Sequence, residues 1–486
     1  PTRIGASAMR VRASRFTAVV IGLTAVSLIL RCWAGSNELW LDEIWSVMLA
    51  RRAASAGAVF TAIHLDNNHY LNTLYLRLLP ASSRWVVYRL PAIVAGAGGA
   101  VVAALTVKRA TRGTEHEPVA PLAAAVLLAT SYPMVLYGSE ARGYTMAVLF
   151  ALCAVYAAQR FTTEHRVVAG IFVAVFATLG ILAQLTYLQA DLALITWTGV
   201  RLARQQRGLQ RWMRDMALCH ALPLACLIWL YVVDIRHMAL GGGPVYSDAS
   251  VVGGALSLSL GGPLDGRART VVAGIAALLI ILSLAVIRNS STDEWLLMLF
   301  ATVASPCLVL VLIRPTYLYE RYFLVDIAFV FVALGWLISA VARRAPAAAV
   351  ALVSLFVVAN SVHTSRLITL GRGNYLPAMQ FMIEHSNRPT ITIGSDHDFR
   401  NRTVLAFYRQ FLPPSVRFAY LPRDEWPVEG PEWLLLHSQD AAFVPPMALA
   451  AAGIRYQLDR VYPFAGISGW SWALYHDVRD AAAPGR

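Results

Sequence analysis

Apolar and polar positions alternate in this chain on the scale of a bilayer, not of a single helix face. Apolar runs at about 16–34, 89–107, 119–137, 143–160, 167–184, 187–203, 216–234, 270–287, 294–313, 322–341 and 346–362 are separated by short polar segments. A helix needs about 20 apolar residues to cross the hydrocarbon core, so the pattern predicts about eleven transmembrane helices. After residue 362 the pattern changes. "PTITIGSD" (389–396) and "PEWLLLHS" (431–438) read as buried strands, "NRTVLAFYRQFL" (401–412) and "PPMALAAAGI" (445–454) as helices. "RYQLDRVYPF" and "WSWALYHDV" supply further strands. The expected fold class is a polytopic α-helical membrane protein, with a membrane module over 1–362 and a small α/β domain over 363–486.

Composition agrees. The chain has 486 residues, of which 57% are hydrophobic and 14% charged, more apolar material than one soluble core needs. A net charge of +13 raises the question of nucleic acid, but the arginines cluster in short loops between spans, so no nucleic-acid partner is expected. With the N-terminus (Arg3, Arg10, Arg12, Arg15) in the cytoplasm, the loops that must share that side are all basic. They carry Lys108, Arg109 and Arg112; Arg160 and Arg166; Arg201, Arg204, Arg207, Arg211 and Arg214; Arg288; and Arg343 and Arg344. The five cysteines lie in or beside apolar runs without metal-type spacing and read as small core residues. The first run is too long for a cleaved signal and reads as a retained anchor.

This orientation puts every unusual charged and aromatic cluster outside, together with the C-terminal domain. "GSNELWLDEIWSVMLARR" (35–52) carries adjacent acids, Asp42 and Glu43, flanked by Leu39, Trp40, Leu41, Ile44 and Trp45. A solvated acid pair on a surface helix is the plain reading. The aromatic flanks instead suggest an interfacial helix, where a carboxylate meets a lipid-borne head group. Adjacent helical residues diverge by about 100°, so one of the two acids can enter a given pocket.

In "HLDNNHYLNTLYLRLLP" (64–80), Asp66, Asn68 and His69 could bind a sugar, or lie on an ordinary loop and surface helix. Glu43, Asp66 and His69 are the candidates for a divalent metal ion, should one be required. "SEARGY" places Glu140, Arg142 and Tyr144 between two spans, and "YERYF" repeats the theme with Tyr319, Glu320 and Arg321. Snorkelling explains a lone interfacial arginine. Two Glu-Arg-Tyr clusters at equivalent depth point to a phosphate clamp, because guanidinium binds phosphate bidentately and never titrates.

"LWLDEIWS", "DNNHYLNTLYLRLL", "YGSEARGYTMAVLFALCAVYA" and "YERYFLVDIAF", in that order over about residues 15–345, resemble the GT-C glycosyltransferases. The closest type is the polyprenyl-phosphate-sugar-dependent group that includes protein O-mannosyltransferases and aminoarabinose transferases of lipid A. The resemblance implies that Asp42 is the catalytic base, that the donor is a polyprenyl-phosphate-linked sugar, and that Arg142 and Arg321 hold its phosphate. It also implies a bacterial inner-membrane enzyme whose acceptor hydroxyl, on lipid, protein or glycan, lies on the external face. The expected reaction is one inverting displacement, with Glu43, Asp66 or His69 orienting the acceptor or binding a metal. Two other classes stay open: a transporter or flippase, which calls for charge deep within the spans, and a non-catalytic assembly protein of the cell envelope.

Overall fold

The computed structural model describes residues 3–205, 208–290, 293–386, 388–438, 443–463, 467 and 469–478, with side chains from Ser14 onward. The side chains of Arg3, Arg10 and Arg12, and the whole of Arg207, lie outside the described residues. Every apolar run carries helix. Among the described residues, eight helices are long and apolar enough to cross a membrane, and Ala120–Thr130 and Val167–Ala183 are shorter apolar helices. The chain is a multi-pass membrane protein.

Two runs are less regular than their sequence suggests. The 119–137 run breaks at Ser131, whose ψ of 131° separates helix Ala120–Thr130 from Tyr132–Tyr137. Pro133 follows and lacks an N–H, while the Tyr132 N–H donates to Asn360 Oδ1 at 2.7 Å. The 294–313 run loosens to π-helix over Phe300–Ala304 and Val309–Ile313. Ion pairs tie the basic ends of the spans together: Arg109 to Glu164 at 2.9 Å, Arg201 to Glu294 at 2.9 Å, and Arg343 to Glu115.

A buried arginine was missed in the sequence. Arg31 donates to the carbonyls of Ala129 at 3.2 Å and Leu128 at 3.3 Å, at the C-terminal end of helix Ala120–Thr130. A cation there meets unpaired carbonyls and the negative end of the helix dipole. Any side chain at Gly96 or Gly138 would collide with its guanidinium.

The fold forms two compact units: Pro1–Trp33, Leu49–Leu79 and Tyr88–Thr364 make the first, and Ala34–Met48, Pro80–Val87 and Ser365–Arg486 the second. In the second, strands β1 (Thr390–Ser395), β2 (Arg417–Tyr420), β3 (Trp433–Ser438), β4 (Ala448–Ala451), β5 (Ile454–Tyr462) and β6 (Ser471–Asp477) form one sheet of order β2-β1-β3-β6-β5-β4. β2, β1 and β3 are parallel, and the remaining pairings are antiparallel. Helix Asp398–Tyr408 provides the crossover from β1 to β2.

The helix expected over 445–454 is corrected: its alanines form β4, paired with β5. Alanine favours helix locally, but Ala452 at φ 50° and Gly453 at φ 80° make a two-residue hairpin turn, closing Ala451 onto Ile454. Pairing across that turn outweighs propensity.

Residues 34–48 are held within this second unit by specific bonds. The Arg372 guanidinium donates to the Ala34 carbonyl at 2.7 Å and to Asn37 Oδ1 at 2.8 Å. Asn37 donates to the Leu367 carbonyl at 3.1 Å, and the Tyr408 hydroxyl to the Leu39 carbonyl at 2.7 Å. Trp45 packs edge-on to Phe399, with ring centroids 5.7 Å apart. The buried Glu38 carboxylate accepts the Leu376 N–H at 3.2 Å, at the first turn of helix Tyr375–His385.

Burial pushes the Glu38 pKa up from 4.5 to about 7, against the lowering effect of the Leu376 and Tyr375 N–H groups. The folded state therefore binds a proton that the unfolded chain has released between these values. This contribution is fully present below pH 4.5 and is lost as the pH rises through about 7. It is on the order of 3 kcal/mol. Thermal unfolding followed between pH 4 and 8 is expected to show that decline in the wild type and not in Glu38→Gln.

Candidate active site

The first unit brings Arg142 and Arg321 near His69. His69 precedes helix Tyr70–Arg77, and its carbonyl accepts the Thr73 N–H at 2.8 Å. Its Nε2 faces the Arg142 guanidinium, with Nε at 3.2 Å and Nη2 at 3.1 Å. Arginine can only donate, so Nε2 turns a lone pair to it, while Nδ1 lies 3.3 Å from the Gly143 N–H. Burial, then the charges of Arg142 and Arg321, hold His69 well below the ordinary imidazole range. It is neutral at physiological pH.

Arg142 is 3% exposed and sits in the turn between two spans. The turn is fixed by Asn72 Nδ2, which donates to the Ala141 carbonyl at 2.6 Å, and by the Arg142 N–H, which donates to the Glu140 carbonyl at 2.8 Å. Gly143 allows the chain from Ala183 to approach: a Cβ there would lie 1.8 Å from the Ala183 carbonyl oxygen, a clash with backbone that no rotamer relieves. Gly143→Ala is expected to abolish accumulation of folded protein, read as loss of the monodisperse peak in detergent gel filtration.

Arg321 belongs to a single 3-10 turn, Glu320–Phe323, that leads into helix Leu324–Arg344. Its guanidinium lies over the Tyr319 ring at 4.4 Å and the Tyr322 ring at 5.8 Å. Arg142 is similarly placed over Tyr144 at 5.2 Å, and the His69 ring meets Tyr144 edge-on at 5.1 Å. Both arginine charges act on His69. Arg142, Arg321, Tyr144 and Asp66 also lie within electrostatic reach of Tyr322, and Glu140, Glu320 and Arg321 within reach of Tyr137. The two Glu-Arg-Tyr clusters thus share one neighbourhood. Two guanidiniums beside a neutral imidazole and a ring of phenols suit an oxyanion.

Asp66 and Asn68 organise the loop that carries His69. Asp66 Oδ1 accepts the Gly241 N–H at 3.0 Å, and the Leu65 backbone forms a parallel bridge with Ala239. Asn68 is buried and donates to the Val59 carbonyl at 2.7 Å and the Ile63 carbonyl at 3.1 Å. The fully buried Asp234 was not anticipated: it accepts His64 Nδ1 at 2.6 Å and the Tyr70 hydroxyl at 2.6 Å. Its position at the end of an apolar run, 170 residues from His64, left no local signal.

The adjacent acids Asp42 and Glu43 belong to the second unit, at the start of helix Leu41–Arg52. Glu43 is buried, and its carboxylate reaches back to accept the Trp40 N–H at 3.2 Å, the glutamate half of a capping box. Asp42 is half-buried. The 100° divergence along the helix thus separates a buried acid from a half-buried one.

Among the described residues, no three His, Cys, Asp or Glu side chains gather in a group able to hold a metal ion. Of the metal candidates, His69 offers its lone pair to Arg142, Asp66 is bonded to Gly241, and Glu43 caps its helix.

No protein-family model and no curated protein matches this sequence. Solved structures do. ArnT from Cupriavidus metallidurans bound to undecaprenyl phosphate is 13% identical, with a TM-score of 0.53 over 96% of this chain and 100% of that one. ArnT from the same organism in the apo state is 11% identical, with a TM-score of 0.57 over 97% and 100% of the two chains. The matches cover nearly the whole of both chains, and this chain has the GT-C-type fold.

Proposed function

We propose that this protein is a membrane glycosyltransferase that moves a sugar from a polyprenyl-phosphate donor to an acceptor hydroxyl. The observation that carries the reading is the meeting of Arg142 and Arg321 around neutral His69, on a fold shared with an ArnT structure that holds undecaprenyl phosphate. Two guanidiniums that never titrate, beside buried aromatic rings, are matched to a phosphate on an isoprenoid chain. The basic loops support a cytoplasmic N-terminus and an external site. Activated nucleotide sugars are cytoplasmic, which favours a lipid-carried donor. The membrane is the bacterial inner membrane.

The reaction is a single displacement with inversion. The acceptor hydroxyl of a lipid, protein or glycan attacks the anomeric carbon as the bond to the phosphate oxygen breaks. Positive charge grows on the sugar ring, and negative charge on the departing polyprenyl phosphate. Arg142 and Arg321 stabilise the latter. Phosphate leaves as a stable anion, so no general acid is required. Asp42 takes the hydroxyl proton late, when that proton is already acidic. His69, neutral, receives a hydrogen bond from Arg142 and orients it without adding charge.

Membranes from cells expressing the wild type, Asp42→Asn or an empty vector test the donor. Polyprenyl-phosphate sugars are extracted and quantified by mass spectrometry. One species is expected to fall in the wild type and in neither control. If every pool is unchanged with both proteins well expressed, a lipid-phosphate donor is ruled out.

A further inference from the structure

At the other end of the bundle lies a cavity of about 250 Å³ in the first unit, lined by Arg109, Gln159, Thr163, Arg201, Ser290 and Glu294 among others. Gln159 is fifteen residues into helix Tyr144–Glu164, so it lies about 22 Å along the helix from the end that carries Arg142. The cavity is thus separate from the site above. It lies among the basic ends of the spans, at the depth of lipid head groups.

Charge does not balance around it. Arg201 is matched by Glu294 at 2.9 Å. Glu164, by contrast, serves Arg109 at 2.9 Å, Arg160 at 3.0 Å and Arg166 at 3.7 Å. Three guanidiniums share one carboxylate, a net charge of two, with Arg109 in the cavity lining and Arg160 and Arg166 exposed outside it. Hydrogen bonding is incomplete as well. Gln159 is 3% exposed, and its Oε1 is buried with no partner. The Arg109 Nε is likewise buried with no partner, although Nη2 of the same side chain engages Glu164 and Thr163. Buried polar atoms are rarely left unmatched. An acceptor that lacks a donor and a cationic donor that lacks an acceptor thus belong to two residues that line one cavity.

We infer that this cavity binds the head group of an anionic phospholipid, a phosphodiester that also carries a hydroxyl. The phosphate accepts from Arg109, and a glycerol hydroxyl donates to Gln159. The volume suits a phosphoglycerol group, and is below the range of about 300–1,000 Å³ usual for larger ligands. Val168, Ile171 and Phe172 are exposed on the neighbouring helix Val167–Ala183, an apolar surface for acyl chains. Free inorganic phosphate shares the head group's charge but gains nothing from that surface.

The test is native mass spectrometry of the delipidated full-length protein in detergent, titrated with phosphatidylglycerol, with phosphatidylcholine of the same chains, and with inorganic phosphate. Two uncompensated charges give an expected preference of about thirtyfold for phosphatidylglycerol over phosphatidylcholine. One lipid is expected to bind per chain; Arg109→Gln is expected to lower the preference about fivefold, and Gln159→Leu, which removes the acceptor for the glycerol hydroxyl, about threefold. Equal binding of the two lipids by the wild type overturns the proposal whatever the variants do. So does a full preference kept by both variants. Displacement of the lipid by millimolar phosphate overturns the lipid assignment in favour of a small-anion site.

Discussion

Asp42→Asn is expected to lower turnover about a thousandfold while donor binding stays within about threefold, since a positioned base contributes roughly 10²–10⁴. Asparagine keeps the shape of the side chain and can still orient a hydroxyl, but it cannot take the proton. The phosphate contacts assigned to Arg142 and Arg321 are untouched, so the defect falls on kcat and not on KM. The control is the adjacent acid. Glu43→Gln keeps an oxygen that can accept the Trp40 N–H and is expected to retain turnover within a few-fold, whereas Glu43→Ala loses the cap and about 1 kcal/mol of stability. Steady-state kinetics of purified protein with a polyprenyl-phosphate sugar read all three. Turnover of Asp42→Asn within tenfold of wild type removes Asp42 from the chemistry.

Neutralising either arginine has a different signature. Arg142→Gln and Arg321→Gln are each expected to cost about 10²–10³ in kcat, the usual scale for a group that stabilises developing charge. They are also expected to weaken binding of undecaprenyl phosphate, which Asp42→Asn does not. Arg142→Lys is the more telling change. Lysine keeps the charge but has no fork with which to engage His69 Nε2 and a phosphate together. It is expected to recover part of the binding and little of the rate. Calorimetric titration with undecaprenyl phosphate, paired with the kinetics, separates charge from geometry. Unchanged affinity in both glutamine variants removes the phosphate clamp.

The parts of this protein that were legible in its sequence are those with a local cause. A run of twenty apolar residues becomes helix wherever it lies, and "PTITIGSD" and "PEWLLLHS" became β1 and β3 because short β-branched or leucine-rich runs between turn residues have few other uses. "PPMALAAAGI" went the other way, because its fate depends on β5 beyond the turn. At the candidate site the arginines announced themselves by charge in an apolar context. The distinction between Asp42 and Glu43 did not, since it depends on which of two adjacent side chains bends back to Trp40. Arg31, Asp234 and Glu38 were illegible for a related reason: their partners lie 98, 170 and 338 residues away.

The bonds that hold residues 34–48 have a consequence in time. Their partners, Leu367, Arg372, Leu376, Phe399 and Tyr408, are made more than three hundred residues later. At about 5–20 residues per second, the segment bearing Asp42 waits roughly 15–70 s for them. During that interval the early membrane helices can insert, while Asp42 has neither its cradle nor its final helix start. A chain stalled or cleaved before residue 367 would carry both arginines and an unanchored base. On the function proposed above, synthesis itself then acts as a safeguard, because a polypeptide that is still unfinished cannot spend the donor.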